Sequence, residues 1–124
     1  MTLMFICAAI GTTMLNLDTL VAQEDAKKLS VTQLGSDKHA SEFLISIEEQ
    51  VPLHIHKYHT EIIYILDGTG DMTLDDKVVK INKGDYIRVP ENTKHGVKVT
   101  SENPLKVLSV QTPEYKGLDK HLVE

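Results

Sequence analysis

Short runs rich in Val, Ile, Tyr and Thr recur from Leu29 onward, and Gly, Asp, Asn or Pro separates each run from the next. Runs spaced by roughly 8 to 12 residues are typical of antiparallel strands joined by turns. No long segment in this part repeats apolar residues at helical spacing. The pattern predicts strands at residues 29–34, 42–47, 51–56, 61–66, 70–74, 77–81, 86–89, 95–99 and 105–111. So many short strands predict an all-β sandwich, barrel or jelly roll.

The composition fits one domain and excludes several classes of function. A chain of 124 residues has room for one hydrophobic core. The net charge is −5, and Arg88 is the sole arginine among scattered lysines, so no basic surface for nucleic acid is expected. A single cysteine, Cys7, excludes an internal disulfide. No apolar run reaches the roughly 20 residues of a membrane-spanning helix.

Residues 1–22 differ in composition from the rest of the chain. They are apolar from residue 3 to about 17, carry no charge before Asp18, and end in a small-residue step at residues 20–22. This pattern predicts a cleaved secretory signal peptide, which would make the protein secreted or periplasmic. Because no Lys or Arg opens the segment, the alternative is an attached N-terminal extension of a cytoplasmic protein. Residues 23–124 form the predicted barrel domain, with a polar surface tail from about residue 112.

The chemistry concentrates in residues 51–61. Side chains alternate between the two faces of a strand, so His54 and His56 project from one face. The polar residues 57–60 can reverse the chain and bring Glu61 opposite the two imidazoles. Ile63 and Ile65 share the face of Glu61, which places the carboxylate at the mouth of an apolar interior. A buried carboxylate of this kind requires a partner.

His95 begins a later strand whose Val97 and Val99 share its face, so its imidazole is also predicted to point inward. Three histidines and one carboxylate that converge on an apolar cavity suit a divalent transition metal with open positions for water or substrate. The remaining histidines do not match this strand parity, and they are expected to face solvent: His39, His59 and His121.

Two motifs resemble the conserved motifs of the cupin family. The segment His54-x-His56-x4-Glu61-x6-Gly68 is similar to the first cupin motif, and Gly84-x5-Pro90-x-Asn92-x2-His95 is similar to the second, with 15 residues between Gly68 and Gly84. Asn92 stands where the second motif has glycine, and it tolerates positive φ. The resemblance covers roughly residues 38 to 112.

The resemblance implies a small, single-domain cupin, an antiparallel double-stranded β-helix or jelly-roll barrel. It implies one divalent metal per chain, manganese, iron, nickel, cobalt or zinc, held by His54, His56, Glu61 and His95. Small cupins are commonly homodimers, and Ile62, Tyr64 and Leu66 form an apolar face that a second subunit or the N-terminal segment would cover.

Two functions remain open on this resemblance. One is a metal-dependent enzyme on a small polar substrate, of the dioxygenase type or similar to a sugar isomerase. The other is a non-catalytic module that binds a small molecule. Tyr86 and Arg88 share one strand face, and Arg88 is expected to point outward because it alternates with Ile87 and Val89. Packing is the simplest explanation for Tyr58 and Tyr64.

Overall fold

The computed structural model describes residues 12–20 and 28–124, which contain ten strands and no helix. The strands are β1 Leu29–Asp37, β2 Ala40–Ile47, β3 Gln50–Ile55, β4 Thr60–Asp67, β5 Gly70–Leu74, β6 Lys77–Ile81, β7 Tyr86–Val89, β8 His95–Val99, β9 Leu105–Thr112 and β10 His121–Leu122. Among the described residues, no helix could span a lipid bilayer. All nine predicted strands are confirmed, most of them within three residues of the predicted ends.

The strands form two five-stranded sheets. Sheet 1 has the order β1-β2-β9-β4-β7, and sheet 2 has the order β10-β3-β8-β5-β6. Every strand pairing is antiparallel. Consecutive strands repeatedly cross between the sheets, as in a jelly roll. The all-β jelly-roll prediction is therefore confirmed.

The hydrophobic core lies between the two sheets and follows the two-residue period of the strands. In β9, buried and half-buried residues alternate strictly, so Leu105 and Val107 point inward. Ile63 and Ile65 of β4 do the same from the neighbouring strand. Sheet 2 contributes Met72 and Ile81 to the same cluster. Burying one such side chain stabilises the fold by about 1.5–3 kcal/mol.

A second, smaller apolar cluster lies on the outer face of sheet 1. Leu34 and Leu44 are buried there, and Leu17 and Leu20 of the N-terminal segment pack against them together with Leu66 and Leu108. The Lys106 ammonium donates hydrogen bonds to the carbonyl oxygens of Leu17 and Leu20, at 2.6 and 3.0 Å. The sequence predicted that a second subunit or the N-terminal segment covers the apolar face of Ile62, Tyr64 and Leu66. Residues 12–20 cover part of this outer face of sheet 1.

The signal-peptide prediction for residues 1–22 extends outside the described residues, since residues 1–11, 21 and 22 are not among them. It stays a prediction.

The C-terminal residues contradict the expectation of a polar tail that merely lies over the surface. β9 extends to Thr112, one residue beyond the predicted strand end. Further on, Asp119 is buried, and His121 and Leu122 form β10 by pairing with Ile55 and His54 of β3. The sequence missed β10 because two residues carry no alternation pattern.

Candidate metal centre

Four side chains from both sheets converge at one end of the barrel: His54, His56, Glu61 and His95. His54 in β3 pairs directly with His95 at the start of β8, while Glu61 enters from β4 in the opposite sheet. One nitrogen or oxygen atom from each residue lies within 4.8 Å of the other three, and all four residues are buried. Strand parity thus predicted the convergence of these four residues, and the structure confirms that they meet. Together they form the four-residue site.

A glycine lets β3 and β8 approach closely enough to align the histidines. The pairing of the two strands is irregular between Val51 and His54. A Cβ atom at Gly96 would lie 2.8 Å from the carbonyl oxygen of Val51 and 3.1 Å from the backbone of Pro52. Only glycine fits this contact without moving the bulged backbone. Nearby, Asn92 has a φ of 61°, so the turn before His95 keeps the positive φ expected for it.

A backbone carbonyl fixes the orientation of each imidazole. The Nδ1–H groups donate to the carbonyl oxygens of Pro52 for His54 (2.8 Å), of Asp119 for His56 (2.6 Å) and of Thr93 for His95 (2.9 Å). Because a carbonyl oxygen only accepts, Nδ1 must carry the proton in all three rings. In its neutral form, each ring therefore presents the lone pair of Nε2 for binding, which is the arrangement found in histidines that bind metals.

The Nε2 atoms face a carboxylate, and this arrangement requires a cation. His95 Nε2 lies 3.0 Å and His56 Nε2 lies 3.7 Å from Glu61 Oε1. Lone pairs and a carboxylate oxygen repel one another unless a proton or a metal ion lies between them. Three nitrogen donors and one oxygen donor within reach of one point fit a divalent transition metal.

The charge state of Glu61 suits that role. Burial raises the pKa of the Glu61 carboxyl, but contacts with His56, His95 and Ser109 outweigh the burial and hold the pKa well below its usual range. Ser109 Oγ donates a 2.5 Å hydrogen bond to Glu61 Oε2, which leaves Oε1 directed at the histidines. Glu61 is therefore ionised at neutral pH.

The histidine pKa values differ because their surroundings differ. Burial lowers the pKa of His54 to about 4, and the hydrogen bond to Pro52 only partly opposes it, so His54 is neutral as a metal ligand must be. Burial also acts to lower the pKa of His56. There, however, Glu61 and the Asp119 carbonyl outweigh burial, and the pKa is raised.

Asp119 lies in the C-terminal segment, which comprises residues 113–122. Its side chain holds the loop after β3 in place through hydrogen bonds. Its carboxylate accepts hydrogen bonds from the backbone N–H groups of Lys57 and Tyr58, at 2.9 and 2.7 Å. His59 Nδ1 lies 2.6 Å from the same carboxylate, and His59 Nε2 donates to the carbonyl oxygen of Glu114. These hydrogen bonds outweigh the effect of burial and hold the pKa of Asp119 well below its usual range.

The predicted solvent exposure of His59 is wrong, since only 8% of the residue is exposed. Its partner Asp119 lies 60 residues away, and no local pattern in a turn could reveal that contact. His39 is exposed as predicted, whereas His121 is only half-exposed because it contacts Asp119.

The four-residue site opens into a cavity of about 270 Å³ between the sheets. Its walls are mostly aliphatic, with Ile45, Ile63, Met72, Leu105 and Val107 among them. Ser109 and Gln111 add polar groups beside the site, and the sequence interpretation missed both. Their shared face with Leu105 and Val107 in β9 was the available signal.

The aromatic and cationic candidates at the variable positions of the two motifs do not line the cavity. Tyr86 and Arg88 are exposed, as expected for Arg88, and Tyr58 and Tyr64 are also exposed. Tyr115 of the C-terminal segment does line the cavity, and its ring lies against the ring of His56, with a centroid distance of 5.8 Å.

Comparison with known protein families and sequences gives three results. A model of the cupin domain matches residues 42–111. An uncharacterized protein of Methanocaldococcus jannaschii is 34% identical over 90 residues, which are 73% of this chain and 72% of that protein. Quercetin 2,3-dioxygenase of Bacillus subtilis is 29% identical over 101 residues, which are 77% of this chain but 29% of the dioxygenase.

Solved structures share the fold. KdgF from Halomonas sp. superposes with a TM-score of 0.70 at 18% identity, over 79% of this chain and 92% of that one. The nucleoside dehydratase Pac13 of Streptomyces superposes with a TM-score of 0.72 at 17% identity, over 92% of each chain. At these identities, the likeness supports the architecture and not a shared reaction.

Proposed function

The chain belongs to the cupin family, and from the geometry of its buried site we propose that it is a metal-dependent enzyme acting on a small molecule inside the barrel. One divalent transition metal per chain would be held by His54, His56, Glu61 and His95. The observation that carries the proposal is the convergence of three imidazoles, each held at Nδ1 by a backbone carbonyl, on the buried Glu61 carboxylate. Manganese, iron, nickel, cobalt and zinc all suit such a donor set.

The residues around the site have distinct tasks in this proposal. A bound metal would polarise a substrate oxygen and, if redox-active, would give access to dioxygen. The carbonyls of Pro52, Thr93 and Asp119 hold the imidazoles in place, and Ser109 orients Glu61. The aliphatic walls bind the body of the substrate and exclude water from the reacting end.

Between the two reaction types, the cavity favours a dioxygenase over a sugar isomerase. A sugar needs a hydrogen-bond partner for nearly every hydroxyl, because an unpaired buried hydroxyl is costly. The mostly aliphatic lining offers few such partners. The similarity to quercetin 2,3-dioxygenase supports the same choice. When both atoms of O2 enter the substrate with cleavage of a C–C bond, the substrate itself supplies the four electrons that reduce O2, so no external reductant is required.

The first experiment is elemental mass spectrometry of the natively purified protein and of a His56→Ala variant. We expect one transition metal per chain in the wild type and its loss in the variant, because His56 would supply one of four ligands. His39→Ala is the matched control, since His39 is exposed and far from the site in sequence. Retention of the metal by His56→Ala would refute the ligand assignment.

Turnover is tested by oxygen uptake. Protein loaded with iron, manganese, nickel or cobalt is mixed with hydroxylated aromatic compounds in an oxygen electrode, and zinc-loaded protein is the redox-inert control. Oxygen uptake that requires the redox-active metal supports the dioxygenase. A stoichiometric metal without uptake favours instead a module that binds a small molecule without converting it.

A further inference from the structure

Gln111 is a buried polar residue in the cavity, and its side-chain oxygen has no hydrogen-bond partner in the part of the chain that the structure describes. Only 5% of Gln111 is exposed, and it lines the cavity on the inner face of β9. Within residues 12–20 and 28–124, nothing donates a hydrogen bond to its Oε1. Its Nε2 makes one long contact, 3.5 Å to Nε2 of His56. The amide thus lies beside the four-residue site without a full set of partners.

The orientation of the amide follows from its neighbour. His56 Nδ1 donates to the Asp119 carbonyl, so in the neutral ring, the form that would bind a metal, His56 Nε2 carries a lone pair, and the Gln111 N–H2 group faces it. If His56 binds a metal through Nε2, the N–H2 group also loses its protein partner. Both ends of the amide would then be available to a ligand at the site.

An unpaired amide in an aliphatic wall destabilises the protein unless a ligand completes its hydrogen bonds. The neighbouring Ser109 shows the contrast, since its hydroxyl is satisfied by Glu61. Pockets for small molecules typically combine apolar walls with a few polar groups that set the orientation of the ligand. Gln111 has the position and the unused bonding capacity for that role.

We propose that Gln111 determines substrate specificity, and that the substrate has an apolar, ring-sized body with two neighbouring oxygen functions. One oxygen function lies at the four-residue site, and a neighbouring O–H donates to Gln111 Oε1. The body fills the cavity between Ile63, Met72 and Val107. This inference rests on the proposed metal site and narrows the substrate of that site to hydroxylated, otherwise apolar compounds.

The charge of the lining agrees with an uncharged substrate body. Lys120 is the one lysine or arginine among the described residues that line the cavity. It lies near the C-terminal end of the chain and is exposed. A phosphate or sulfate group usually needs paired cationic donors. The interior therefore favours an uncharged ring over a phosphorylated molecule.

The test compares catechol with phenol, which lacks the second hydroxyl. Dissociation constants are measured by calorimetry on zinc-loaded wild type and on Gln111→Met, which keeps the side-chain length without the amide. The preference for catechol over phenol is expected to fall about tenfold in the variant, because one hydrogen bond to a buried carbonyl is lost. Any difference in how strongly the metal binds the two phenols is common to both proteins and cancels in this comparison.

Thr32→Val is the matched control, because Thr32 Oγ1 is also buried and without a partner among the described residues but does not line the cavity. This variant is expected to keep the wild-type preference. An unchanged preference in Gln111→Met, or tighter binding of the polyol xylitol than of catechol, would overturn the inference. Zinc analysis of the same samples separates the two proposals: absence of zinc refutes the metal site, whereas bound zinc with an unchanged preference refutes the role of Gln111 alone.

A second measurement does not depend on a ligand. Removing an unsatisfied buried amide relieves its desolvation cost, so the ligand-free Gln111→Met protein is expected to unfold a few degrees higher than the wild type. Such a gain in stability is typical when a residue is kept for binding rather than for folding. A marked drop in unfolding temperature would show that Gln111 is structural and would contradict its assignment.

Discussion

At the scale of single residues, hydrogen bonds outside the four-residue site decide what the four side chains can do. Ser109 is the clearest case, because its hydroxyl binds one oxygen of Glu61 and leaves the other facing the histidines. Loss of such a hydrogen-bond partner typically lowers metal affinity 10–100-fold. The precision of the site therefore depends on β9 as much as on the motif residues.

Replacing Ser109 with alanine is expected to weaken metal binding by roughly 10–100-fold with the fold retained, because Glu61 loses the contact that orients it. Competition with a chromophoric chelator measures the affinity. Ser101→Ala is the control, since Ser101 bonds Thr69 and Asn103 in another part of the protein. Equal affinities of Ser109→Ala and wild type would show that Glu61 needs no such support.

The lowered pKa of His54 predicts an acid-sensitive metal-free protein. The pKa of His54 is about 4 in the folded state, against 6.5 for a free histidine, so the unfolded chain binds the extra proton first as the pH falls. Stability is therefore lost from about pH 6.5 down to about pH 4. The loss attributable to His54 is roughly 2 kcal/mol between pH 7 and pH 5.

Urea unfolding of the metal-free wild type and of His54→Asn at both pH values measures this contribution. The variant should lose less stability on acidification than the wild type, because asparagine does not titrate. His56 has a raised pKa and acts in the opposite direction, but it is present in both proteins. An equal loss in the two proteins would mean that His54 is not held neutral by the fold.

At the scale of elements, the C-terminal segment is part of the metal centre. The backbone of Asp119 holds the ring of His56, and its side chain holds the loop that carries His59. β10 fixes the end of this segment to β3, next to His54. The segment thus connects the loop after β3 to the site, although none of its residues belongs to the two motifs.

Asp119→Asn is expected to lower metal affinity by at least tenfold and the free energy of unfolding by about 3 kcal/mol, because it weakens the hydrogen bonds that the buried carboxylate makes with the loop after β3, including its contact with His59. Chelator competition and thermal unfolding give the two values. Glu114→Gln is a control in the same segment, because the Glu114 side chain contacts only the exposed Lys116 among the described residues. If Asp119→Asn binds the metal as tightly as the wild type, the C-terminal segment has no role at the site.

At the scale of the whole molecule, the outer face of sheet 1 is only partly covered. Leu17 and Leu20 pack there against Leu34 and Leu44, but Tyr64 of β4 remains 43% exposed. Tyr86, which pairs with Tyr64 from β7, is 62% exposed. These exposed apolar side chains support the proposal that the protein is a homodimer.

Removal of residues 1–22 is expected to leave a dimer but to destabilise it, since each leucine that leaves the outer cluster costs about 1.5–3 kcal/mol. Light scattering coupled to gel filtration gives the mass, and urea unfolding gives the stability. A monomer from the full chain would contradict the dimer proposal. Unchanged stability after removal would indicate that residues 12–20 contribute nothing to the fold, as a cleaved signal peptide would.

Much of the fold and site followed from local patterns. Strand parity placed His54, Glu61 and His95 on inner faces because a strand turns alternate side chains to opposite sides wherever it lies in the fold. The turn before His95 was predictable as well, because Asn92 tolerates the positive φ of 61° that it adopts. By contrast, His59 was misplaced because a loop has no such period.

Local patterns in the sequence were enough to predict nine of the ten strands, the turns and the four residues that meet at the barrel end, because these depend on periodicity and on spacing between neighbours. Other features arise only when distant segments pack: Asp119 holds the loop of His59, Leu17 and Leu20 pack on Leu34 and Leu44, and Gln111 Oε1 is left without a partner among the described residues. Each of these facts depends on which segments distant in sequence pack together, and the packing of two sheets is a property of the whole chain.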